Sequence, residues 1–193
     1  MDGYRKRTLK KREAIIQAGE RLFTSNGVDR TKMKDIAREA SVSPVTIYNY
    51  FGSKQRVLYE VLRRQFEAMT KTFENIVYDS SKAFKEKLEE LLMFEFELVD
   101  SLPDDLLDAF YAPGDEEMER LIEWYSENRT TVGLQHLIRE GKKEGAVAPS
   151  MSETSVMTYI ELFKNVRKLP AARDKATLKD LMHMFFYGLN GKR

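Results

Sequence analysis

The feature that most constrains this chain is the period of its apolar residues. Along nearly the whole length they recur every three to four positions, and strict alternation over five or more residues is scarce. That period belongs to amphipathic helices rather than strands, so the expected fold class is all-α. At 193 residues, 42% hydrophobic and 33% charged, the chain can bury a core as one module or two small coupled ones. No run approaches the roughly 20 apolar residues needed to cross a bilayer, and the N-terminal stretch begins with charge and lacks a small-residue cleavage site. The expectation is a cytoplasmic protein with no membrane partner. The absence of cysteine excludes disulfides, zinc fingers and thiol nucleophiles, and His136 and His183 lie too far apart for a clustered ligand set. No metal, cofactor or catalytic residue is expected.

A net charge of +1 conceals two opposite regions. Residues 1 to 56 hold 13 Lys or Arg against 6 Asp or Glu, whereas the rest of the chain holds 19 against 25. A basic first quarter calls for a polyanionic partner, because each cation placed near a phosphate releases condensed counterions. Nucleic acid and an anionic membrane both satisfy that demand.

About nine helices are expected. The first starts after the basic run Arg5 to Arg12, carries Ile15, Ala18, Leu22 and Phe23 on one face, and stops at Asn26-Gly27. Thr31 is the expected cap of the second, which turns Met33, Ile36, Ala37 and Ala40 inward. Ser43 caps the third, with Pro44 at its first position. Longer helices are expected from Lys54 to about Tyr78, Ser81 to Leu98 and Glu116 to Lys143, with a short one between Pro103 and Pro113. Ser150 with Glu153 reads as a capping box opening a further helix, and the last runs from about Asp174 to Leu189.

Three short helices, the second and third joined by the tight stretch Ala40-Ser41-Val42, form a helix-turn-helix, in which one helix braces the next in the major groove. Val42, Ile47 and Phe51 fall at core spacings on the third helix. Pro44, Val45, Thr46, Tyr48, Asn49 and Tyr50 then face elsewhere. Hydroxyls bind phosphate oxygens, Val45 can touch a thymine methyl, and Lys34 is long enough to reach a base edge or phosphate. Lys54 opens the fourth helix, where free amides and the dipole favour phosphate. Half-buried packing is the competing account of the tyrosines, and a solvated tail is the competing account of the basic run, which could otherwise be a DNA-gripping arm.

The run from Thr31 to Lys54, with Asp35-Ile36-Ala37, Val42-Ser43, Thr46-Ile47-Tyr48, Tyr50-Phe51 and Ser53-Lys54 in ungapped order, resembles the DNA-binding signature of the TetR family of transcriptional repressors. The resemblance covers about residues 10 to 62. It implies that Lys34, Pro44, Val45, Thr46, Tyr48, Tyr50 and Lys54 approach DNA, with Tyr48, Tyr50 and Lys54 mainly on the backbone; Ser43 and Asn49 complete the expected face. Two positions depart from the pattern: Ser41 stands where the family usually has glycine, and Lys32 where it usually has threonine.

The resemblance further implies an N-terminal helix-turn-helix domain over residues 1–52 and a larger helical ligand-sensing and dimerisation domain over 53–193. The partner would be a double-stranded palindromic operator, and a small hydrophobic or amphiphilic effector would release the repressor. Phe66, Phe73, Phe94, Phe110, Trp124 and Tyr125 are the candidate pocket, although aromatics at helical spacing also make plain core. The acidic residues from Glu95 to Glu119, uninterrupted by Lys or Arg, read mostly as a solvated face, with a pocket mouth suited to a cationic amphiphile as the other account. On the last two helices the apolar rows exceed what a terminal hairpin buries. Val156, Ile160, Phe163, Leu178, Met182 and Phe185 are therefore the expected homodimer interface. Two other readings of the second region are a protein-docking adaptor without a pocket and a helical enzyme. The latter lacks a nucleophile–base set or a phosphate-cradling glycine loop.

Overall fold

The computed structural model of the chain describes residues 2–111 and 116–165, together with 177, 180, 181 and 183–185. Among these are nine α-helices and no strand, as the apolar period requires. In chain order they are α1 (Asp2–Asn26), α2 (Met33–Glu39), α3 (Pro44–Phe51), α4 (Lys54–Val77), α5 (Phe84–Ser101), α6 (Asp104–Tyr111), α7 (Glu116–Tyr125), α8 (Thr131–Lys143) and α9 (Glu153–Asn165). None is long and apolar enough to cross a membrane.

The described chain packs as two units. The first comprises Met1–Met69 with Leu98–Trp124, the second Thr70–Glu97 with Tyr125–Arg193. The core of the first is built from Ile15, Ala18 and Phe23 of α1, Ile36 and Ala37 of α2, Ile47 and Phe51 of α3, and Val57, Val61 and Leu62 of α4, with Leu106 and Met118. The second centres on Ile76, Val77, Phe84, Leu88, Leu137, Ile138, Val147, Val156, Ile160 and Phe185. Gly141 allows the closest approach there, since a Cβ on it would lie 2.7 Å from the buried ring of Phe84 and 2.9 Å from Val147.

Several boundaries differ from the sequence expectation, each for a local reason. Helix α1 begins at Asp2 and takes in the whole basic run; Arg, Lys and Leu are good helix formers, and nothing between Arg5 and Arg12 breaks the chain. Thr31 does not cap α2. The N-cap is Lys32, without a side-chain bond, while the Thr31 hydroxyl meets the carbonyls of Leu22 (3.1 Å) and Gly27 (2.7 Å), closing the end of α1 instead. Asp79 Oδ1 accepts from the amide and hydroxyl of Ser81, which makes a turn and delays α5 to Phe84. The stretch expected as one helix from Glu116 to Lys143 contains a π-helical segment, Ser126–Thr130. Ser152, not Ser150, caps α9, its Oγ accepting from the Ser155 amide at 3.0 Å. Of the last expected helix, the described residues 177, 180, 181 and 183–185 are helical.

Ser41 holds φ at 54° in the turn between α2 and α3, the left-handed region where the resemblance expects glycine. A side chain there costs about 1 kcal/mol. Ser41→Gly should therefore raise the unfolding free energy by up to that amount, whereas Ser41→Val, β-branched, should lower it. Thermal denaturation of the pair checks the sign of each.

Candidate nucleic-acid interface

The presentation of α3 follows from its two ends. Ser43 Oγ accepts from the Thr46 amide at 3.1 Å, Pro44 occupies the first turn, and at the other end Gly52, with φ of 71°, returns its amide to the Tyr48 carbonyl at 2.8 Å. Ile47 (0% exposed) and Phe51 (6%) anchor the helix from behind. The turn before it is held by Val42 N–H to the Ala37 carbonyl and Ala40 N–H to the Ile36 carbonyl, both 2.9 Å.

On the outer side Val45 is 69% and Tyr48 53% exposed, and Ser43, Pro44 and Asn49 are exposed beside them. Lys34 of α2 is exposed too. These exposed apolar and aromatic groups, on a helix anchored from behind, form the candidate contact face. Thr46 and Tyr50 are half-buried. The Thr46 hydroxyl lies 2.8 Å from Ser43 Oγ, and Tyr50 packs against the first core, so both stabilise α3 as well as bordering its outer face. Lys54 Nζ donates to the Val28 carbonyl at 2.9 Å, tying the start of α4 to the loop after α1. Its remaining protons stay available to a phosphate.

Electrostatics separate the cations into two sets. Glu60, 5% exposed on α4, is met by Arg12 (2.5 Å), Arg63 (3.3 Å) and Arg56 (3.8 Å). Arg56 also makes a two-pronged contact with Glu117 at 2.6 and 2.7 Å. Arg64 reaches Glu13 at 2.5 Å, and that hydrogen bond holds the Glu13 carboxyl below its usual range. By contrast Lys32 and Lys34 meet no carboxylate among the described residues.

Sequence reasoning missed three of these arrangements. Arg12 lies over the Phe51 ring, 5.3 Å from its centroid, and Lys54 serves as a tether. Asp105 also leaves the solvated acidic face to which its sequence position assigns it: its Oδ2 accepts from the Asp29 amide at 2.8 Å, and its carboxylate lies against Gly27, where a Cβ would come within 2.7 Å. The signal was the Asn26-Gly27 pair, since Gly27 carries φ of 84°.

The remaining expected residues are distributed as follows. Phe66 packs against the core of the first unit, and Phe73 and Phe94 against that of the second. Trp124 is 50% exposed and Tyr125 half-buried; the side chain of Phe110 lies outside the described residues. A groove of about 280 Å³ in the first unit is lined instead by Arg56, Leu58, Tyr59, Glu117 and Met118 among others. Of the expected dimer residues, Val156, Ile160 and Phe185 are only 1 to 3% exposed within the single chain. They have no surface left to bury against a second copy, so they are core; Phe185 stacks on Tyr159 at 4.8 Å. The Phe163 side chain, Leu178 and Met182 lie outside the described residues. Among the described residues of this region, the large apolar side chains exposed to solvent are Leu162 (65%) and Met184 (57%).

Comparison with known proteins agrees with this arrangement. The family described as bacterial regulatory proteins, tetR family, matches residues 15–61. The transcriptional regulator BetI of Agrobacterium fabrum is 32% identical over 120 residues, 60% of this chain and 58% of that protein. BetI of Rhizobium meliloti is 30% identical over 151 residues, covering 72% and 73% of the two chains. Across the first curated relatives the match spans 34% to 58% of the relative's length. FadR of Bacillus subtilis, solved with stearoyl-CoA, superposes with a TM-score of 0.63 at 17% identity over 94% of this chain and 99% of its own, a likeness of fold. The helix-turn-helix, the helices of the described remainder and the match to a curated regulator over more than two thirds of both chains place this chain in the tetR family of bacterial regulatory proteins, helix-turn-helix transcriptional regulators rather than enzymes.

Proposed function

We propose that the chain is a DNA-binding repressor that acts as a dimer on a palindromic operator and is released by a small apolar or amphiphilic effector. One observation carries the reading: α3 is locked from behind by Ile47 and Phe51 while Val45 and Tyr48 stand in solvent. A rigid helix of this kind enters a major groove with its side chains already placed. Val45 is suited to a thymine methyl, Tyr48, Asn49 and Ser43 to phosphate or base edges, and Lys34 and Lys54 to the backbone. Residues 1–52, with Lys54 at the start of α4, are the DNA-binding part and the rest of 53–193 the sensing part.

Two copies, joined through surface that includes Leu162 and Met184, would read half-sites about one helical turn apart. An effector that binds better to one head separation than another shifts the population away from the DNA-competent form. Support for an amphiphile comes from family membership and from the half-buried rings of Phe73 and Phe94 beside the second core.

The double variant Val45→Ala with Tyr48→Ala removes exposed groups and should leave stability unchanged. Its affinity for the DNA upstream of its own gene is expected to fall about tenfold or more by fluorescence anisotropy. Wild-type affinity would show the assigned face to be wrong, and a protein that sediments as a monomer on and off DNA would remove the palindrome.

A further inference from the structure

The pair Asn26-Gly27 that ends α1 carries a reactivity the fold does not use. In an Asn-Gly sequence the glycine nitrogen can attack the asparagine side-chain carbonyl, because no Cβ stands in the way. The Gly27 nitrogen gives up its proton as it bonds to Asn26 Cγ, the bond from Cγ to the side-chain nitrogen breaks, and ammonia leaves. Water then opens the resulting imide at one of its two carbonyls. The product is aspartate or, where the main chain is rerouted through the side chain, isoaspartate. Water is the only co-reactant.

The backbone demands the reactive glycine. Gly27 holds φ at 84°, and a Cβ on it would lie 2.7 Å from the Asp105 carboxylate. Asn26 beside it is exposed. Three contacts hold the Gly27 peptide back. Its N–H donates to the Phe23 carbonyl at 2.9 Å, its carbonyl accepts from the Thr31 hydroxyl at 2.7 Å, and Asp105 Oδ2 accepts from the Asp29 amide, two residues on, at 2.8 Å. The first engages the proton that must leave, and the others stop the peptide from turning onto the side chain. The carboxylate of Asp105 also acts through its charge. Attack passes through a nitrogen that gains negative charge, which a fixed carboxylate alongside opposes.

We infer that Asn26 is a site of spontaneous deamidation that Asp105 of α6 restrains, and that the modified chain binds DNA more weakly. Isoaspartate inserts a further carbon into the main chain where the Gly27 amide closes α1 and the loop to α2 begins. The Thr31 hydroxyl, bonded to the Leu22 and Gly27 carbonyls, and Lys54, bonded to the Val28 carbonyl, grip that same loop. A longer main chain displaces their partners, and with them the start of the helix that braces α3. The loss of DNA affinity rests on the proposed reading of α3; the modification does not.

The test uses the full chain. Native wild type, native Asp105→Ala and wild type unfolded in urea are aged in mildly alkaline buffer. The peptide containing Asn26 is followed by mass spectrometry and isoaspartate content, which keeps the second such pair, Asn190-Gly191, out of the measurement. Native wild type should convert at least about tenfold more slowly than the unfolded chain, and Asp105→Ala at least about fivefold faster than native wild type, because opening of the loop sets the rate. Asp105→Asn, which keeps an acceptor and loses the charge, should fall between them, and it carries the comparison if the alanine variant does not fold. Val61→Ala, a change at a wholly buried position of the same unit, controls for general destabilisation and should stay slow. An equal rise in that control at matched unfolding free energy overturns the inference, as do equal rates in native wild type and Asp105→Ala, or in native and unfolded chain. Fresh and aged Asp105→Ala are then titrated with the DNA upstream of the chain's own gene. Affinity should fall in step with the isoaspartate fraction, while Asn26→Gln in the same background, whose longer side chain cyclises far more slowly, keeps its starting value. Affinity that ignores the modified fraction overturns the link to DNA. Fresh wild type that does not bind DNA removes the α3 reading, and the conversion rates then decide the modification by themselves.

Discussion

Lys87→Met is expected to lower the unfolding free energy by about 1–3 kcal/mol, because it leaves the Val77 carbonyl and the partly exposed Glu140 carboxylate without their ammonium. Lys87 is 2% exposed on α5, and its Nζ donates to Glu140 of α8 at 2.7 Å and to the carbonyl of Val77, the last residue of α4, at 2.9 Å. One ammonium thus satisfies a carboxylate and a helix-terminal carbonyl, and methionine, though similar in length, satisfies neither. Replacing Glu140 by leucine in the same chain should recover part of the loss, because it removes the carboxylate left without its ammonium while the Val77 carbonyl stays unsatisfied. Urea unfolding of the two single variants and the double variant measures this directly. The pH dependence has a fixed sign. The hydrogen bond from Lys87 holds the Glu140 carboxyl below its usual range, so the pair's contribution is complete above the ordinary carboxylate range and is lost as pH falls through the lowered value. The gap between wild type and Lys87→Met should accordingly narrow in acid.

Phe23→Ala is expected to cost about 3–5 kcal/mol, through the cavity it leaves. Phe23 is wholly buried, one turn beyond Gly19, where α1 comes so near α4 that a Cβ would lie 2.9 Å from Val57 and 3.5 Å from the Phe23 ring. The site cannot collapse easily, since the helices that line it are already in contact. Phe23→Leu should lose less, because most of the volume remains. Both variants should lose DNA affinity in proportion to the fraction unfolded at the assay temperature. A Phe23→Ala protein with wild-type thermal stability would show that this contact does not hold the first unit together.

The elements themselves were legible because their signals are local. The period of Ile15, Ala18, Leu22 and Phe23 defines the buried face of α1, Ser43-Pro44 starts α3, and Asn26-Gly27 ends α1, all within one or two turns of chain. What failed was the choice between chemically equal candidates. Ser150 has Glu153 three residues on and Ser152 has Ser155, and it is the Ser152 hydroxyl that accepts from the amide three residues on. Thr31 suits a cap by type but spends its hydroxyl on the preceding helix. The basic run lacks an apolar face, so its period says nothing, and its helicity comes from propensity and from continuity with α1.

Tertiary partners were harder still. Lys87 looks like any polar position of an amphipathic helix, and nothing in its sequence neighbourhood announces Glu140 and Val77 as partners. The apolar row of α9 does not say by itself whether its own chain or a second copy covers it. Val156, Ile160 and Phe185 are covered by their own chain, because a row of apolar residues reports that it is buried and not what buries it. On α3 the exposed face was legible from the positions of Ile47 and Phe51, whereas the half-buried state of Thr46 and Tyr50 depended on the cap and on the first core.

The lysine that opens α4 complicates any scan of the surface around it. Because its ammonium grasps the carbonyl of Val28, truncating it would free the segment between the first two helices as well as delete the proposed phosphate contact. A drop in affinity at that position is a composite of two losses. Arginine keeps the charge, but its planar fork needs different geometry at the carbonyl, so the two components would part company there: retained salt dependence alongside faster amide exchange in the freed segment.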